Sequence, residues 1–197
     1  MLIFAVSEIN QNKFEAINQS LNNSLLQKQQ EPTVNPLSDL QKILSSTLSD
    51  YQINPDEAIK LNENSLKVAL PGELLFASAS TEINAESQQL IQQVAEKIKA
   101  FPLPNYAVEI EGHTDDEPIQ TMRFPSNWEL SSARAIAVLK VFMRVGVPQH
   151  KLKSIGYADT QPLAPNRDAM GQALKKNQEL NRRVEIKLSK VYGFESE

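Results

Sequence analysis

An acid and a base frame one short stretch of the sequence. Asp115 sits in a dense polar run, His113-Thr114-Asp115-Asp116-Glu117, and Arg134 stands on the next apolar-periodic segment. A loop carboxylate and a helix guanidinium brought to one surface pocket would suit a ligand carrying both charges better than a plain acid or amine. Such a pocket needs a strand end, a loop and a helix start. Val108, Ile110 and Gly112 alternate with Glu109 and Glu111, which marks a strand with the apolar residues on one face. Gly112 lets the chain turn, and Pro118 and Pro125 keep the following loop out of helix. Leu130, Arg134, Ala137, Val138 and Val141 then recur at helical spacing. If Asp115 and Arg134 pair only with each other, the arrangement is structural and binds nothing.

Other chemistries fit less well. His113, Asp115, Asp116 and Glu117 crowd together, but their spacing matches no standard metal loop, so no metal site is expected. No Gly-x-Ser-x-Gly, phosphate loop or dinucleotide fingerprint is present, which argues against catalysis and against a cofactor. Carboxylates suited to a glycosidase pair exist in Asp115, Asp116, Glu117 and Glu129, yet nothing sets two of them across a sugar. Core packing is the expected use of Trp128, a lone indole near a helix start, with stacking on a glycan ring as the alternative.

The chain has 197 residues, 41% hydrophobic and 22% charged, enough for one domain with some extension. A net charge of −4 and few aromatics exclude nucleic acid as the main partner. There are no cysteines, so disulfides and thiol chemistry are excluded. The apolar start Met1-Leu2-Ile3-Phe4-Ala5-Val6 is far short of the roughly 20 residues that span a bilayer. It reads as the end of a removed segment.

Residues 1–30 carry a narrow stripe of Phe14, Ile17, Leu21 and Leu25, which suits a helix that docks on a partner or pairs with a copy of itself. Residues 31–58 read as a proline-containing linker followed by a helix with Leu37, Leu40, Ile43, Leu44 and Leu48. Residues 59–190 read as the compact domain and 191–197 as a tail. Within the domain, strands are expected over 66–70, 106–111, 152–157 and 183–188. Helices are expected over 84–99, with Asn84 as the cap, and over 127–145, closed by Gly146; a short one falls within 168–180. The order β-α-β-α-β-(α)-β is an α/β arrangement with helices packed on a sheet, preceded by a helical extension.

Gly112-His113-Thr114-Asp115, Asn127-x-x-Leu130-Ser131-x-x-Arg134-Ala135, Gly156 and Asn181-Arg182-Arg183-Val184-Glu185-Ile186 together resemble the OmpA-like peptidoglycan-binding domain. The segments Asp116-Glu117-Pro118-Ile119 and Ser126-Asn127-Trp128-Glu129-Leu130-Ser131 resemble more narrowly the flagellar stator B subunits, the MotB and PomB family. Ser7-Glu8-Ile9-Asn10 is similar to the segment that follows that family's single membrane helix. The resemblance implies an OmpA-like mixed sheet. It also implies that Asp115 and Arg134 bind the diaminopimelate of the peptidoglycan stem, with Asn127, Leu130 and Arg182 or Arg183 lining or supporting the pocket. It implies a periplasmic anchor tethered to the inner membrane, partnered by the stator A subunit (MotA or PomA) through a membrane helix and by a second copy in a homodimer. The stripe Phe14, Ile17, Leu21 and Leu25 would then be a plug helix. A general OmpA-type tether between outer membrane and wall is the alternative.

Overall fold

The computed structural model describes residues 36–102 and 105–191. The stripe helix expected over residues 1–30, the linker residues up to 35 and the tail beyond 191 lie outside the described residues.

Five strands form one mixed sheet. They are β1 (Ile59–Leu61), β2 (Ser65–Pro71), β3 (Tyr106–Gly112), β4 (Leu152–Gly156) and β5 (Arg183–Lys190), in the order β1-β2-β5-β3-β4. Neighbours are antiparallel except β3 and β4, which run parallel with Gly112 opposite Gly156. The four expected strands are all present. β1 is an addition: an Ile-Lys-Leu tripeptide is too short for alternation to register.

The helices are α1 (Pro36–Asp50), α2 (Pro55–Ala58), α3 (Gly72–Leu75), α4 (Ala85–Ala100), α5 (Asn127–Val145) and α6 (Lys175–Asn181), with one 3-10 turn at Gln149–Lys151. Asn84 caps α4 by accepting from the Ser87 amide. Ser126 and Glu129 close a capping box on α5, and Gly146, at φ 89°, ends it in the left-handed region.

Alternation along the strands separates two faces. Leu66, Val68, Leu70, Val108, Ile110, Val184, Ile186 and Leu188 point into one core with Leu90, Ile91, Val94, Val138, Val141 and Phe142 of α4 and α5. Leu37, Leu40, Leu44 and Leu48 of α1 are fully buried in that same core. The boundary expected at residue 59 is therefore corrected: the packed unit begins at Pro36. The leucine stripe seals the sheet beside α4 over β1 and β2, so α1 is part of the domain and not a linker helix.

α5 lies unusually close to the sheet. A Cβ on Gly112 would stand 2.1 Å from the Ser131 carbonyl oxygen, and one on Gly156 would stand 2.2 Å from Ser132 Oγ. Two glycines opposite each other on adjacent strands thus make the bed of α5, which fixes Asn127, Leu130 and Arg134 relative to the end of β3. Among the described residues, no helix is long and apolar enough to cross a membrane.

Candidate functional site

The site begins where β3 ends. His113 continues the ladder by donating its amide to the Arg183 carbonyl (3.0 Å), and the Thr114 amide donates to the Ala158 carbonyl (2.8 Å). These bonds carry the strand geometry as far as Asp115. Its carboxylate accepts from the Glu117 amide (3.2 Å) and from Arg182 Nη1 (2.6 Å), and Arg182 also pairs with Glu73. Asn127 at the start of α5 donates to the carbonyls of Glu117 (2.9 Å) and Asp115 (3.3 Å), pinning the loop to the helix.

Arg134 approaches from α5. Its Nε donates to the Ser80 carbonyl (3.0 Å), and its guanidinium carbon lies 5.1 Å from the centre of the Phe76 ring. Burial and then the neighbouring Arg182 lower its pKa, while Asp115 opposes them. An arginine stays charged regardless. No hydrogen bond or ion pair joins Arg134 to Asp115 among the described residues; Asp115 pairs with Arg182 instead.

A cavity of about 640 Å³ opens between these groups. Asp115, Asn127, Leu130, Arg134 and Arg182 all line it, together with Glu73, Glu117, Phe76 and the backbone turn at 77–79. Five of the six residues singled out from the sequence are thus brought together. Arg183 is the exception and is corrected. It is buried on the other face of the sheet, where it donates to Glu185 Oε1 (2.6 Å) and to the carbonyls of Asn181 and Gln161 (3.2 Å each). Arg182 stands just ahead of β5, at the end of the sheet by the cavity, while Arg183 opens the strand on the face that carries Glu185. The expected packing of Trp128 in the core is also corrected: its side chain is exposed.

The sequence did not disclose Glu73, Phe76 or the turn at 77–80 as cavity wall. They precede the motif by some forty positions, and small residues after a Leu-Leu-Phe run gave no local signal. Arg167 was missed as well. It joins Asp116 (2.5 Å) and Glu117 (3.3 Å), and Gln178 donates to Asp116 Oδ1 (2.8 Å), so the acidic loop is held from behind.

The other sheet face carries a lattice of ion pairs. Glu111 and Glu185 stand directly opposite each other on β3 and β5. Lys67 lies 2.5 Å from Glu185 and 3.4 Å from Glu111, and Arg183 completes the balance. Glu111, Glu185 and His113 converge closely enough to suggest a metal site. Lys67 already places an ammonium between the two carboxylates, so the trio is read as a structural cluster.

Burial pushes the His113 imidazole down to about 4, aided by Arg183 and Lys67 and opposed by Glu185. The ring stacks on Tyr157 with centroids 5.2 Å apart. Between pH 6.5 and 4 the unfolded chain therefore binds a proton that the folded chain refuses. The stability held by neutral His113 is fully present above pH 6.5 and declines as pH falls towards 4, by about 3 kcal/mol over the window. Denaturant titrations across that range should show the decline, and His113→Phe should flatten it. A slope unchanged in the variant would assign the acid sensitivity elsewhere.

The OmpA family model matches residues 75–186, more than half of the chain. The chain belongs to the OmpA family. Within that family it is MotB-like. Motility protein B of Helicobacter pylori is 36% identical over 118 residues, covering 59% of this chain and 43% of that protein. The chain thus spans under half the length of that relative. The crystal structure of the periplasmic domain of Helicobacter pylori MotB superimposes with a TM-score of 0.58 at 33% identity, covering 67% of this chain and 78% of that one. The cell wall anchor of the T6SS from Pseudomonas aeruginosa gives a TM-score of 0.61 at 31% identity, covering 75% and 96%. The mixed-sheet OmpA-like fold read from the motifs is the fold observed.

Proposed function

We propose that this OmpA-family chain is a non-catalytic cell-wall anchor that grips peptidoglycan through the diaminopimelate of the peptide stem. The observation that carries this reading is the separation of charges in the cavity. Arg134 lines the same cavity as Asp115 and is not consumed by it. The Ser80 carbonyl takes Arg134 Nε, which leaves the terminal amines as a fork for a carboxylate. Asp115 and Glu117, on the loop side, offer negative charge to an ammonium group. Diaminopimelate carries both groups on one side chain.

Hydrogen bonds to charged groups contribute about 1.5–3 kcal/mol each. Asp115→Ala and Arg134→Ala should each therefore weaken retention on isolated sacculi by roughly tenfold to a hundredfold. Arg134→Lys keeps the charge and loses the planar fork, so it should fall between. Unaltered thermal unfolding would separate lost contacts from lost fold. Wild-type retention of both alanine variants would remove the reading.

The machine served is, in this proposal, a flagellar stator, with the chain in the periplasm, a second copy beside it and the stator A subunit as partner. The MotB-like relatives support this assignment. The similarity to a cell wall anchor of a different machine makes the grip separable from its use. Co-purification of the stator A subunit with the full-length protein tests the stator assignment; its failure would leave the wall grip standing.

A further inference from the structure

Trp128 is the only tryptophan in the chain. It stands in the first turn of α5 with 51% of its surface exposed. Its backbone is fixed at both ends, the amide donating to Ser126 Oγ (3.2 Å) and the carbonyl accepting from Ser131 Oγ (3.1 Å). Among the described residues, no aromatic ring stacks on the indole and no guanidinium lies over it. An exposed indole without a ring partner, on a hydrogen-bonded helix turn, therefore flanks Asn127, and Leu130 follows two positions on; both of those residues line the cavity.

We propose that Trp128 is a stacking platform for a sugar ring of the glycan strand whose stem peptide enters the cavity. This rests on the reading of that cavity as the stem-peptide site. Diaminopimelate is the third residue of the stem. At about 3.3–3.6 Å per extended residue, the sugar bearing the peptide stands roughly 10 Å from the diaminopimelate backbone and further from its charged side-chain end, and so outside the cavity. Trp128, exposed and next in sequence to Asn127 of the cavity wall, lies outside the cavity, where the sugar must stay. A pyranose presents a flat face of C–H groups and a rim of hydroxyls. An indole offers a broad apolar face that can stay wet at its edge. Seating the two together takes apolar surface of both from water without asking for any further charge.

The indole is its own reporter, being the only one in the chain. Two probes are compared: the free tripeptide ending in diaminopimelate, and the same tripeptide carried on its N-acetylglucosamine–N-acetylmuramic acid disaccharide. The disaccharide form should bind roughly five- to tenfold tighter and shift the tryptophan emission, whereas the free peptide should bind without that shift. Trp128→Ala should erase the difference between the probes and leave affinity for the free peptide unchanged, and Trp128→Tyr should restore part of it. Equal affinities for the two probes in the wild type would overturn the platform while leaving the cavity reading intact. An emission change that follows protein concentration without ligand would also overturn it, because the ring would then cover a second copy of the chain. Failure of both probes to bind would remove the cavity reading and the platform with it.

Discussion

Gly112→Ala lowers the melting temperature of the domain by roughly 10 °C, the equivalent of about 3 kcal/mol or more. The added methyl would lie 2.1 Å from the Ser131 carbonyl oxygen and 2.8 Å from its carbon. Both atoms are helix backbone, so no side chain can turn away to make room. α5 must lift off β3, and it carries Ala135, Val138, Val141 and Phe142 into the core. The cavity opens as α5 moves, since Asn127, Leu130 and Arg134 ride on it. Loss of sacculus retention should therefore accompany the loss of stability. Thermal unfolding followed by far-UV circular dichroism is the measurement. A shift of only a degree or two would mean that α5 is not seated as described.

Glu185→Ala costs about 3–5 kcal/mol, the range for breaking a buried ion pair from one side. Glu185 is 2% exposed and holds Arg183 and Lys67 at 2.6 and 2.5 Å. Burial alone would raise its pKa; the hydrogen bonds from Lys67 and Arg183 overcome this and hold it at about 2. In the variant Lys67 can turn to Glu111 or to water, but Arg183 stays buried with two carbonyls and no counter-charge. The paired replacement Arg183→Met with Glu185→Leu should recover most of the loss, because a well-packed apolar pair can substitute for a buried ionic one. Urea titrations of the single and double variants decide it. A double variant as unstable as the single would show that the cost lies in packing rather than in charge.

Particular residues show what the sequence discloses and what it withholds. Strands β2, β3 and β5 alternate cleanly, and Asn84, Ser126, Glu129 and Gly146 are ordinary helix terminators, so the main elements were legible. The leucines of α1 were legible as a helix but not as core, since periodicity says that a face is apolar and not what it meets. Arg182 and Arg183 are adjacent and chemically identical; only the register of β5 decides which one reaches the cavity. Glu111 and Glu185 read as polar positions off the core face. Their burial depends on pairing across strands that are distant in sequence, with Lys67 supplied by a third. Asp115 and Arg134 were legible as residues brought to one pocket, and both line the same cavity. Their separate partners, Arg182 and the Ser80 carbonyl, were not, because each lies some fifty or more positions away.

The cavity sits at one end of the two central strands. Asp115 follows the close of β3 and Arg182 immediately precedes β5, and these strands are antiparallel neighbours. A pull directed outward from that end would run along both strands at once. Drawn the same way from one end, the two strands would move together, so the ladder between them would not be set against itself. α5, wedged on Gly112, would lead the remaining tension into the same pair of strands. If the cavity holds the wall as proposed, a force on the ligand would enter the sheet through β3, β5 and α5 together.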